Sequence, residues 1–251
     1  VTHPYLDAPG PIAFSHRGAA EGCAENSAEA VDAAVALGYH YVETDVHATR
    51  DGVAVLFHDD DCTRLLGRDG CVADYDWSDL QQAELIGGGR MARLDDVLSD
   101  HPELRLNIDA KTDDVVGPMG DAIAPHLDRV LAASFDIARV QKLRDRFGDA
   151  LCWSPSSGGV ARLWAAGWGA PLMGDAAPAY QVPTHWNGIP LVTKRVLRAA
   201  KRHGAQVHVW TIDDPAQMNA LLDLGVHGLM TDEPRVLRYV MVARGQWPTL
   251  R

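Results

Sequence analysis

The sequence predicts an α/β protein, a closed (β/α)8 barrel with a small insertion after the second barrel strand. Three observations predict it. Short apolar runs of β character alternate with helical patterns, which calls for parallel strands joined by right-handed crossovers. Eight such runs fit within 251 residues, which favours closure over an open doubly wound sheet. No GxGxxG follows an early strand, which argues against a dinucleotide-binding fold. The chain 1–251 reads as one domain, with the insertion at about 60–92.

The first run, PIAFS, ends on His16 and Arg17. In the helix after it, Asn26 is the expected cap with Glu29 three residues on, and Ala30, Val31, Ala34, Val35 and Leu37 form an apolar stripe that Gly38 stops. HYVETDV, the second run, places Glu43 and Asp45 two apart, so the period of a strand turns both carboxylates to one side. Asp51-Gly52 is a turn signal that folds VAVLF back as a hairpin outside the barrel count, returning His58 toward Glu43. Residues 60–92 end in three glycines, show no unit of their own, and are expected to lie over one face. After the helical LDDVLSDH comes LRLNIDA, where Asp109 and Lys111 repeat the two-residue spacing. RVLAAS, ALCWS, PLMG, AQVHVWT and VHGLMT complete the eight, with IARVQKLRDRFG, VTKRVLRAAKRHG and PAQMNALLDLG as helices among them. Residues 176–190 read as a long loop, either one from which Tyr180 or Gln181 touches the substrate or a rigid proline-containing connection, and Trp164 and Trp168, four apart, as helix-to-barrel packing, with a face toward a lipid-like substrate as the alternative.

Lysine and arginine number 23 against 34 acidic residues, and the net charge of −11 disfavours nucleic-acid binding and stable association with an anionic membrane. No basic stretch followed by an apolar one opens the chain, and no eighteen apolar residues run together, so a soluble, cytoplasmic protein is expected; a leader already removed would leave no trace. Cys23, Cys62, Cys71 and Cys152 lack CxxC spacing and read as reduced, mostly buried thiols, with a Cys62 to Cys71 pair as the alternative. No segment marks a subunit interface, although homodimers are common among soluble enzymes.

In a barrel, polar residues at the C-terminal strand ends converge on one face. His16 and Arg17, Glu43 and Asp45, Asp109 and Lys111 end three successive strands, and the hairpin adds His58. Three crowded carboxylates call for a cation, and an all-oxygen set suits Mg²⁺ or Ca²⁺. Two histidines can share acid and base duties near neutral pH, while Arg17 and Lys111 hold a phosphate. Together they point to phosphoryl-ester chemistry.

With these residues in place, the chain resembles the glycerophosphodiester phosphodiesterase family of TIM barrels. The resemblance runs through HRG at 16–18, ENS at 25–27, ETDVHATRDG at 43–52, FHDD at 57–60, RLDDVL at 93–98, LNIDAK at 106–111, SF at 134–135, VHVWTIDDP at 207–215 and GVHGLMTDEP at 225–234. It implies Glu43, Asp45 and Asp109 as metal ligands, His16 and His58 as acid and base, and Arg17 and Lys111 as phosphate contacts. Trp210 would wall the glycerol side, and Glu25 and Asn26 would stand behind the ligands, Glu25 orienting Arg17 or the histidines. His47 shares the parity of Glu43 and Asp45 and is expected behind the metal or buried. The family usually carries glutamate where this chain has Asp109, which shortens the reach to the ion by a methylene. The implied products are sn-glycerol 3-phosphate and an alcohol, formed through a cyclic phosphate or by direct attack of water. Two other readings stand beside it: a lysophospholipase D or sphingomyelinase D-like enzyme, and a catalytically silent barrel that only binds.

Overall fold

The computed structural model describes residues 3–171 and 177–248. Strands β1 (Ile12–His16) and β2 (Tyr41–Ala48) are followed by β3 (Ala54–Leu56), which folds back antiparallel on β2. Then come β4 (Arg105–Ala110), β5 (Val130–Ala133), β6 (Cys152–Trp153), β7 (Ala179–Val182), a ribbon of β8 (His185–Trp186) and β9 (Ile189–Pro190), β10 (Gln206–Val209) and β11 (Gly228–Thr231). Around the barrel the order is β6-β5-β4-β2-β1-β11-β10-β7, with every pair parallel. Across the β6–β7 seam the Gln181 amide donates to Ser154 Oγ at 3.2 Å, so the eight strands form a nearly closed (β/α)8 barrel.

One strand differs from the sequence reading. All of PLMG but Pro171 lies outside the described residues, and the sixth barrel strand is β7, within the stretch read as a loop. AYQV is short, centred on a polar residue and flanked by Pro178 and Pro183, all of which are loop signals in isolation. It becomes a strand because both faces have somewhere to go: Tyr180 packs outward into the helical layer and Gln181 points inward.

Period-two alternation sorts the barrel side chains into two layers. Ala13, Val42, Val46, Leu106, Ile108, Val130, Val207 and Leu229 face the helices. Ile12, Phe14, Tyr41, Leu131, Cys152, Ala179 and Met230 fill the interior, together with Tyr5 and Leu6 from the N-terminal segment. His16 shares the parity of Phe14, Glu43 and Asp45 that of Tyr41, so the inward rows turn from apolar to ionisable toward the C-terminal mouth. Gly228 makes room inside: a Cβ there would lie 2.9 Å from the Phe14 ring and 3.0 Å from that of His208.

The helix Ala28–Ala36 is capped by Ser27, whose Oγ accepts from the Ala30 amide at 3.0 Å. Asn26 is not the cap. It has a left-handed backbone (φ +55°), whereas a cap residue is extended, and its side chain is used elsewhere. Glu29 instead accepts from the Arg90 amide at 2.8 Å, fastening the end of the insertion. The insertion is also more organised than its sequence implies, with short helices Thr63–Leu66 and Trp77–Leu80 around a small core of Val55, Phe57, Cys62, Leu65, Leu80 and Met91. All four cysteines are free, two of them buried. Among the described residues no helix is long and apolar enough to cross a membrane.

Candidate active site

The C-terminal mouth of the barrel opens into a cleft of about 750 Å³. His16, Arg17, Glu43, Asp45, His58, Asp109, Lys111 and Trp210 all line it. Strand parity delivers six of them directly from β1, β2, β4 and β10 or the residues just beyond. His58 arrives by the hairpin: the turn closes through Gly52 (φ +81°), and the Phe57 amide donates to the Asp45 carbonyl at 2.9 Å. Arg17 has φ +57°, a region disfavoured for any residue with a Cβ. That reversal is held by the Arg17 amide on the Glu43 carbonyl (2.8 Å) and the Asn26 amide on the Arg17 carbonyl (2.9 Å). It brings Arg17 Nε to 3.0 Å from Asp45 Oδ2 and lets Nη1 donate to Glu25 Oε1 at 2.9 Å.

Asp45 is the hub. Asn26 Nδ2 donates to its Oδ2 at 3.0 Å, and Lys111 Nζ sits 3.0 Å from its Oδ1 and 3.3 Å from Asp109 Oδ2. Asn26 Oδ1 accepts from Thr44 Oγ1 at 2.6 Å, which locks the amide's orientation. Burial pushes Asp45 up, yet Lys111, Arg17 and the Asn26 amide outweigh it and hold the carboxyl below its usual range. Burial pulls Lys111 down, and Asp45 and Asp109 outweigh that to raise it. Glu43 is pushed up to about 8 by burial and by Asp45 and Asp109, against the pull of His16. Asp109 rises too, burial prevailing over Lys111.

Each cleft histidine is backed by a carboxylate. His16 Nδ1 donates to Asp232 Oδ1 at 2.6 Å, which leaves Nε2 facing Glu43 Oε2 at 3.5 Å. His58 Nδ1 donates to Asp59 Oδ1 at 2.8 Å. Burial lowers His16, but Glu43 and the Asp232 hydrogen bond prevail and raise it above its ordinary value. Arg64, on the insertion helix Thr63–Leu66, grips Asp59 through Nε (2.6 Å) and Nη2 (2.8 Å) and reaches Glu25 Oε1 at 2.7 Å. Those hydrogen bonds take Asp59 down to about 2, with the His58 bond adding to them against burial.

Three buried oxygens on two adjacent strands make no hydrogen bond among the described residues: Glu43 Oε2, Asn107 Oδ1 and Asp109 Oδ1. Each orphaned buried acceptor costs about 1–3 kcal/mol, and a hard divalent cation relieves such a set while lowering the raised carboxyls. The oxygens of Glu43, Asp45 and Asp109 do not all lie within 4.8 Å of one another, and Lys111 stands between the last two. Among the described residues the Glu, His and Asp group that does meet that spacing, and could hold a metal, is Glu25, His58 and Asp59. Its carboxylates already bind Arg17 and Arg64, so an ion there would sit beside two guanidinium groups, whereas among the described residues Glu43 and Asp109 pair with no guanidinium and Lys111 approaches only the Oδ2 of Asp109, at 3.3 Å.

A family model, "Glycerophosphoryl diester phosphodiesterase family", matches residues 16–236, a span that takes in every one of these cleft residues. The chain belongs to this family. It is 37% identical to "Probable glycerophosphodiester phosphodiesterase 2" of Mycobacterium tuberculosis, over 95% of this chain and 93% of that protein. A human lysophospholipase D is 23% identical over 90% of this chain and 84% of its own. Among solved structures, a phosphodiesterase of Oleispira antarctica in complex with the product sn-glycerol-3-phosphate superposes with a TM-score of 0.75 at 19% identity, covering 93% of this chain and 97% of that one.

Other singled-out residues separate cleanly. Gln181 lines the cleft with its Nε2 buried and unpartnered, while Tyr180 is buried in the helical layer. His47 is buried, its Nε2 3.4 Å from the His58 carbonyl oxygen. Trp164 packs as expected and donates to the Pro190 carbonyl at 3.1 Å, whereas Trp168, its ring 5.7 Å from that of Trp164, is 57% exposed, so only the first of the pair packs against the barrel. Asp59, Arg64, Asn107 and Asp232 are site residues that the sequence reading passed over. Barrel closure was the available signal for Asp232, because the end of the eighth strand must lie beside the end of the first. For Asn107, parity with Asp109 was enough.

Proposed function

We propose that the chain hydrolyses glycerophosphodiesters to sn-glycerol 3-phosphate and an alcohol, with His16 and His58 as the proton-transferring pair. The observation that carries this reading is the placement of two carboxylate-backed histidines on one cleft with a carboxylate set and two cations. In the proposal Glu43, Asp45 and Asp109 hold Mg²⁺ or Ca²⁺, with Asp45 freed when Lys111 turns from it to the substrate phosphate. A bound divalent ion supplies Lewis-acid stabilisation of charge on the phosphoryl oxygens. Arg17, fixed by Glu25, presents its guanidinium to the same phosphate. Asp232 and Asp59 hold the Nδ1 protons of the two histidines, so each Nε2 is the atom that exchanges protons. One takes the proton of the attacking water, or of a glycerol 2-hydroxyl whose cyclic phosphate water then opens, and the other gives a proton to the departing alcohol oxygen. A cytoplasmic setting belongs to the proposal, on the four unpaired thiols.

The cleft also has an apolar wall of Phe135, Val160, Trp186, Leu191 and Trp210, and this favours a second reading in which the glycerol carries an acyl chain, as in a lysophospholipid, and the head-group alcohol is released. The test is incubation of the purified protein with glycerophosphocholine and, separately, lysophosphatidylcholine, with Mg²⁺, Ca²⁺ or a chelator. Release of glycerol 3-phosphate from the former, lost with chelator and with His16→Ala or His58→Ala, is the expected result. Turnover of the lysolipid alone would replace the first reading by the second, and inactivity on both would leave a barrel that only binds.

A further inference from the structure

The whole-chain charge of −11 conceals a strong asymmetry. Between Asp149 and Asp213 there are six lysines and arginines and one acidic residue, Asp175, so this quarter of the chain carries +5. Five of the six cations lie on the helix Lys194–Arg202, and Arg162 lies on the neighbouring helix Ser157–Gly167. All six are exposed, and among the described residues none forms an ion pair. In a protein with an excess of carboxylates, a helix bearing five cations and no acidic partner is a face held open for something negative.

Apolar side chains adjoin this basic face. The ribbon β8–β9 turns through Asn187 and Gly188 (φ +46° and +79°) and presents Trp186, 56% exposed, and Ile189, 47% exposed. Trp186 also lines the rim of the cleft. Trp164 ties the ribbon to its helix through the Pro190 carbonyl, and its ring lies 5.7 Å from that of Trp168, over which Arg195 is stacked at 4.3 Å. Cleft rim, apolar tip and basic helix are thus one contiguous surface. A nucleic acid would use the cations and could stack a base on the tryptophan, but it has no use for the exposed isoleucine beside it. A bilayer uses both: lysine and arginine meet anionic headgroups while tryptophan sits at the interface.

We propose that the helix Lys194–Arg202 and the tip of the β8–β9 ribbon form a reversible docking face for an anionic lipid surface, with the cleft mouth set beside the headgroup layer. Reversibility follows from the remaining charge, which repels the same surface elsewhere on the molecule.

The test is sedimentation of the intact protein with vesicles of phosphatidylcholine alone and with vesicles also containing phosphatidylglycerol. Binding is expected to the mixed vesicles only, and to be lost at about 1 M salt, where screening acts within ~3 Å. The triple variant Lys194→Glu, Arg198→Glu, Lys201→Glu, which spares Arg195 on Trp168 and Arg202 on the Ala166 carbonyl, should weaken binding at least about 100-fold. Ile189→Glu should weaken it by itself. Hydrolysis of soluble glycerophosphocholine by the triple variant should match the parent, which separates this proposal from the catalytic one and reports folding; a triple glutamine variant serves if the glutamates unfold the protein. Equal binding to neutral vesicles, undiminished binding by the triple variant, no binding at low salt, or tighter retention of single-stranded DNA than of mixed vesicles would each overturn it.

Discussion

Asp232 Oδ1 lies 2.6 Å from His16 Nδ1, joining the end of β11 to the end of β1. This bond fixes which ring nitrogen of His16 faces the cleft. Asp232→Asn keeps the shape but no longer demands a proton on Nδ1, so kcat should fall on the order of 100-fold with little change in KM. Steady-state kinetics on glycerophosphocholine check it, and His16→Ala in the Asp232→Asn background should add far less than it costs alone.

Arg64 acts at longer range. It links the insertion to both Asp59 and Glu25, the partners of His58 and Arg17. Arg64→Ala should lower kcat/KM roughly tenfold, in keeping with the loss of a group that orients other groups. Arg64→Lys, unable to bind Asp59 with two parallel donors, should recover only part of the loss. An unchanged kcat/KM in Arg64→Ala would remove the insertion from catalysis.

Metal dependence should trace to Glu43 and Asp109. Glu43→Gln and Asp109→Asn are each expected to raise the Mg²⁺ or Ca²⁺ concentration for half-maximal activity about 10- to 100-fold. Glu25→Gln should leave that concentration unchanged and act on substrate binding instead, since Glu25 already serves two arginines. Metal titrations of activity distinguish the two sets of carboxylates.

His208 offers a pH test away from the cleft. It is wholly buried beneath the Phe14 ring, and burial lowers it to about 3. Between its ordinary value of about 6.5 and 3, the unfolded chain binds a proton that the folded chain refuses, so stability falls as pH drops through that window. The slope from this group approaches about 1.4 kcal/mol per pH unit. His208→Gln should flatten the dependence of Tm on pH between these limits relative to the parent, whatever its effect at neutral pH.

Much of this was legible in the linear chain because barrels translate sequence parity directly into geometry. Glu43 and Asp45, then Asp109 and Lys111, had to face one way once their runs were strands, and Asp51-Gly52 had to return His58 toward them. Elsewhere local signals misled. Asn26 has the chemistry of a helix cap, but the site recruits its amide for Thr44 and Asp45 and Ser27 takes over the cap. AYQV looks like a loop until barrel closure gives each of its faces a partner.

The sequence by itself determined the alternation of strands and helices and the inward row of ionisable groups, because each depends on periods of a few residues. Only the tertiary structure decided that Asp232 meets His16, that Arg64 joins Asp59 to Glu25, and that Lys111 rests between two carboxylates. Those contacts join residues up to 216 positions apart. Their partners are chosen by how the cylinder closes and where the insertion docks, which no local pattern encodes.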